Sequence, residues 1–118
     1  MVRIADLREW REHAVVDENG RRIGVLEAVY VDTGTDQPSM ATVRTGAPTR
    51  RRLVFVPVDE ATAGPDQVRV PYAKSLVKSA PSIGTDDVLP AEDEEAIFQY
   101  YGLAYTSGAD GVRRLARR

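Results

Sequence analysis

The sequence contains no cysteine and one histidine, His13. The first absence excludes disulfides, thiolate zinc sites, iron–sulfur clusters and cysteine nucleophiles together, and the second removes His-rich metal clusters. Neither sign of charge dominates. Lysine and arginine number 16 against 18 aspartates and glutamates, a formal net charge of −2, so the composition demands neither a nucleic acid nor an anionic membrane as partner. No segment approaches the roughly 20 apolar residues of a membrane span. The first stretch, MVRIADLREW, is interrupted by Arg3, Asp6, Arg8 and Glu9 and lacks the apolar core of a signal peptide. These absences predict a cytoplasmic protein with no membrane span, no cofactor and no metal.

At 118 residues the chain has room for one hydrophobic core. Ile4, Leu7 and Trp10 recur at i, i+3, i+6, which predicts a segment over 1–12 that packs Trp10 onto the body. HAVVDENGRRIGVLEAVYVD predicts a hairpin, because Asn19-Gly20 between apolar runs supplies positive φ angles for a tight turn. His13 is expected at the surface, at the strand start. Along the second strand Ile23, Val25, Val29 and Val31 share one parity with Glu27, while Leu26, Ala28 and Tyr30 take the other. A strand apolar on both sides, with a charge breaking phase near its middle, predicts a bend or bulge.

MATVRTG, RLVFVPV and VRVPY follow as strands, with Pro57 and Pro71 marking strand ends or edges. AKSLVKSA predicts one or two helical turns, Leu76 and Val77 inward and Lys74 and Lys78 together outward, ending before Pro81. LPAEDEEAIFQYYGL opens with Pro90 and the acidic residues 92–95, carries the apolar stripe Ile97, Phe98 and Tyr101, and closes at Gly102. The end, SGADGVRRLARR, predicts a frayed, Arg-rich tail over 106–118.

Among stretches that suggest chemistry, AVYVDTGTDQP holds the triplet Asp32-Thr33-Gly34 that retroviral-type aspartic proteases use. That chemistry needs two aspartates in contact, sharing one proton, and hence a symmetric dimer of this chain. The glycine-rich flap is missing, since RTGAPTRRRLVF offers one glycine and a cluster of arginines. Gly84 also leads into Thr-Asp-Asp rather than a bracing residue and a helix. Asp-Thr-Gly-Thr-Asp is ordinary turn composition, so Asp32 is expected in a solvent-exposed turn. GRRIG lacks the spacing of a dinucleotide loop, and its glycines fit a hairpin turn and a close strand contact. Tyr72 is followed four residues later by Leu76, not by the lysine of a Tyr-Lys acid–base pair. No catalytic residue is assigned.

Several separated stretches together, VVDENGRRIGVLEAVYVDTGTDQPSMATVRTG, RLVFVPV, VRVPYAKSLVKSAP and YYGLAY, resemble the PRC-barrel domain. The resemblance covers about 14–81, with Asp17, Gly20, Ile23 and Gly24 matching the opening hairpin and Asp32, Gly34 and Pro38 the next turn. The C-terminal helix, with Tyr100-Tyr101-Gly102-Leu103, resembles the extension of stand-alone actinobacterial members. The resemblance implies a mainly β fold, a small, mostly antiparallel β-barrel over 13–81, followed by a loop and a short C-terminal helix over 82–105 that packs on it. Core candidates are Val15, Ile23, Val25, Val29, Val31, Val43, Leu53, Phe55, Val58, Val68 and Val70.

It also implies a non-enzymatic adaptor that binds another protein or itself as a homodimer. The aromatic residues Phe98, Tyr100, Tyr101 and Tyr105 are the leading candidate surface, with packing of the helix as the competing role for the same rings. An RNA- or anion-binding module using Arg50, Arg51, Arg52 and the tail 113–118 is the alternative, although no aromatic is interleaved with those arginines for base stacking. The protease reading of Asp32 comes third.

Overall fold

The computed structural model describes residues 10–46, 51–58, 60–64, 66–84, 89, 93–103 and 115–117. The strands are β1 (Ala14–Val16), β2 (Arg22–Asp32), β3 (Pro38–Thr45), β4 (Arg52–Pro57), β5 (Thr62–Ala63), β6 (Gln67–Arg69), β7 (Ser82–Gly84) and β8 (Leu115–Arg117). Helix α1 (Lys74–Lys78) precedes β7, and α2 (Glu94–Tyr100) precedes β8. The sheet order is β5-β6-β1-β2-β3-β4-β7, with β8 added against β2. All pairs are antiparallel except β1 with β6. The fold is thus the mainly β, barrel-like sheet with short helices that the sequence implies.

The phase break at Glu27 is a β-bulge. Leu26 pairs with Val43 and Ala28 with Thr42, which leaves Glu27 as the extra residue of β2. The consequence is a change of face, since side chains alternate with a period of two. Leu26 and Val29, three residues apart, enter the same core, while Ala28 and Tyr30 face a second one. The first core also takes Val15, Val43, Val54 and Val56. The second takes Met40, Leu53 and Phe55 from the opposite face of the same strands, covered by Ile97 and Phe98 of α2 and by Leu115 of β8. Strands β2, β3 and β4 are therefore buried on both faces, and the core candidates divide between two layers. Val25 alone among them is half-buried.

Three further expectations change in detail. The hairpin turn has positive φ at Gly20 (82°) and not at Asn19, because the chain closes through Gly20 N–H to Asp17 C=O (3.0 Å) and Asp17 N–H to Arg21 C=O (2.9 Å). On α1 Val77 is fully buried whereas Leu76 is 40 % exposed. Neighbours on a helix point about 100° apart, so a single short turn buries only one of them. His13 is half-buried, its backbone tied to Trp10 and Leu26 on either side.

The larger change lies at the C-terminus. Leu115–Arg117, expected within a frayed tail, pair with Tyr30–Asp32 along the edge of β2 that β1 does not reach. The bare β2 edge needs hydrogen-bond partners, and Leu115 supplies apolar surface for the second core, where it is fully buried. The end of α2 behaves as its glycine suggests. Gly102 takes φ 69°, and Gly102 and Leu103 donate to the carbonyls of Gln99 (3.0 Å) and Phe98 (2.8 Å), closing the helix with Leu103 packed on the core that holds Phe98.

Candidate functional site

Asp32 ends β2 and serves its own turn. Its Oδ1 accepts the N–H groups of Gly34 (2.7 Å) and Thr35 (3.2 Å), and its carbonyl accepts that of Asp36 (2.6 Å). This is an Asx turn, which uses the carboxylate for backbone geometry and leaves that oxygen engaged. Residues 33–37 are exposed while Asp32 itself is half-buried.

The aromatic residues of α2 and its C-terminus hold the helix on the sheet. Phe98 is buried in the second core. The Tyr101 hydroxyl donates to the Phe55 carbonyl at 2.6 Å, and that of Tyr100 to the Leu76 carbonyl at 2.5 Å. The Tyr101 ring meets Tyr72 edge-on at 5.0 Å and Tyr100 at 5.1 Å. Burial pushes the Tyr101 phenol above its ordinary value, with the neighbouring Tyr100 and Tyr72 adding to the shift. Tyr105 and Arg50 lie outside the described residues.

A different set of residues converges on one cleft of about 690 Å³. Arg22 and Gly24 of β2, Arg44 of β3, Arg51 ahead of β4, and Lys74 and Lys78 of α1 line it. Register explains the convergence. Val25 pairs with Arg44 in β3, and Thr45 pairs with Arg52, so Arg51 arrives beside the far end of the same strands. A Cβ on Gly24 would stand 2.3 Å from the Arg44 carbonyl oxygen, so only glycine lets the two strands approach this closely. Lys74 and Lys78, one turn apart, share a helix face.

Asp17 positions that helix. Its Oδ1 accepts the N–H of Asn19 (2.9 Å) and Arg21 (2.8 Å), and its Oδ2 accepts the N–H of Lys74 at 3.3 Å. Burial alone raises the pKa of such a carboxyl, but the three N–H donors and the Arg21 charge outweigh it, and the group sits below its ordinary value. A smaller hollow of about 320 Å³ continues the cleft between this hairpin and α1, sharing Lys74 and Lys78.

Among the described residues the cleft is therefore lined by five cations. Arg44 has an acidic partner, Glu12, at 3.0 Å. Among the described residues no carboxylate lies within ion-pair distance of Arg22, Arg51, Lys74 or Lys78. Glu12 holds a left-handed backbone, φ 68°. That conformation costs a non-glycine residue about 1 kcal/mol, and an exposed ion pair returns about 0.5 kcal/mol. The pair thus does little for stability.

Of the arginines singled out in the sequence, Arg51 lines this cleft. Arg52 instead donates its Nε to Ser82 Oγ at 2.8 Å. In the tail, Arg117 pairs with Glu27, whose other oxygen accepts the Thr42 hydroxyl at 2.8 Å. Arg22 and Arg44 carried no local signal beyond their strand positions, and Lys74 and Lys78 carried only their helical spacing. Three-dimensional proximity alone unites them.

The profile of the PRC-barrel domain matches residues 4–77, more than half of the chain. The chain belongs to the PRC-barrel family. The match to the PRC-barrel domain takes in Arg22, Arg44, Arg51 and Lys74 of the cleft, while Lys78, α2 and β8 lie beyond it. No curated protein matches this PRC-barrel chain. Among its described residues no group of three metal-ligating side chains occurs, and no helix is long and apolar enough to cross a membrane.

Proposed function

We propose that this PRC-barrel protein is a non-enzymatic docking module whose basic cleft holds an acidic segment of a partner protein. The observation that carries the reading is the convergence of five cations from three strand regions and one helix on a single cleft, in a chain of net charge −2. Segregated positive charge in a groove attracts and orients an anionic partner. An acidic peptide fits better than a nucleic acid, because among the described residues the lining holds no aromatic ring on which a base would stack. The engaged hydroxyls of Tyr100 and Tyr101 support a packing role for these rings, and this favours the cleft over α2 as the interaction surface. The lack of cysteine fits work in a reducing, cytoplasmic compartment.

Fluorescence anisotropy with a labelled poly-glutamate peptide tests the reading. The wild-type chain is expected to bind with an affinity that falls steeply with salt, and Lys74→Gln/Lys78→Gln to weaken binding roughly tenfold. Tighter binding of a single-stranded RNA of equal length, or binding indifferent to the double substitution, overturns it. Sizing of the isolated chain separates a partner in trans from a second copy.

A further inference from the structure

Glu12 combines three properties that a purely structural residue has no reason to combine. Its backbone sits in the left-handed region, at the third position of a turn closed by His13 N–H to Trp10 C=O at 2.9 Å. Glycine or asparagine suits that position better. Its side chain is 67 % exposed, so it buries little, and its only ion pair among the described residues is with Arg44, a cation of the cleft. An exposed pair of this kind is weak, and a competing carboxylate exchanges with it readily.

We propose that Glu12 is a built-in occupant of Arg44, one of the cations that line the basic cleft: its carboxylate holds Arg44 in the free protein and gives way when an acidic segment docks. This rests on the docking reading above and adds its regulation. Glu12 sets a threshold. A partner must present enough negative charge to displace the internal carboxylate, and weakly acidic chains are turned away. The device needs no movement of the sheet, since Glu12 N–H stays bonded to the Leu26 carbonyl at 2.9 Å while the side chain swings.

The test compares poly-glutamate binding by the wild type, Glu12→Gln, Glu12→Gly and, as a control for net charge, Glu95→Gln on the exposed face of α2. Glu12→Gln and Glu12→Gly are each expected to tighten binding roughly two- to threefold, the size of one exposed ion pair, and Glu95→Gln to leave it unchanged within error. In an Arg44→Gln background the Glu12 substitutions are expected to lose their effect. Equal gains from Glu12→Gln and Glu95→Gln, or a Glu12 effect that persists without Arg44, overturn the occupant role while leaving the docking site intact. Absence of peptide binding by every variant overturns the docking site itself, and this proposal with it.

Discussion

The Glu94 carboxylate accepts the backbone N–H of Leu115 at 2.9 Å, and both residues are wholly shut off from water. A side-chain acceptor at the start of α2 thereby fixes the strand that closes the β2 edge, through two residues 21 apart in the chain. The acidic run that reads as helix-start chemistry contains a residue with a tertiary task.

Replacing Glu94 by alanine leaves the buried Leu115 N–H without this acceptor, at a cost of about 2 kcal/mol. The Glu94→Ala protein is expected to melt at lower temperature and to lose its C-terminal strand to limited proteolysis first. Glu94→Gln, which keeps an acceptor oxygen, is expected to retain more of the protection.

Asp17 makes stability depend on acid. Its folded value lies below the ordinary 3.8, so its contribution is complete above that pH and is lost as pH falls from 3.8 through the folded value. Melting curves of the wild type and Asp17→Asn should therefore differ most at neutral pH and converge in acid. A gap that widens with acidification contradicts the assignment.

Gly24→Ala would place a methyl carbon 2.3 Å from the Arg44 carbonyl oxygen and 2.8 Å from Val43 Cγ1. The first obstacle is backbone and cannot rotate away, so β2 and β3 must part, at a cost of about 2 kcal/mol. Because the same contact shapes the cleft, the variant should also bind poly-glutamate more weakly than Gly20→Ala, whose Cβ meets open space and whose cost is left-handed strain.

Tyr101→Phe removes the hydroxyl that caps the Phe55 carbonyl and should cost about 1 kcal/mol in thermal or denaturant unfolding. Its raised phenol adds a second signature. The wild type should lose stability as pH climbs above the ordinary 10.0, and the variant should lose less. Peptide binding by Tyr101→Phe that drops with stability unchanged would instead return the interaction surface to α2.

Local grammar made a good part of the fold legible. The Asp17 to Gly20 turn, the bulge at Glu27, the strand ends at Pro57 and Gly102's helix stop all follow from backbone preferences or two-residue periodicity, which depend on near neighbours in the chain. The Asp32 triplet also resolved locally, because an aspartate ahead of a glycine finds backbone donors within three residues. Val77 and Leu76 show the limit: both are apolar, and which one the sheet covers depends on how α1 lies across it.

The sequence by itself determined the family, the class of fold and the turns, since each rests on contacts a few residues long or on an ordered series of such stretches. Only the tertiary structure decided that β2 to β4 are buried on both faces, that an Arg-rich end contributes a strand, and that Arg22, Arg44, Arg51, Lys74 and Lys78 surround one cleft. Charges act through space and not along the chain, and the residues that bring these five together, Gly24 by its missing side chain and Asp17 by its grip on Lys74, are themselves not basic.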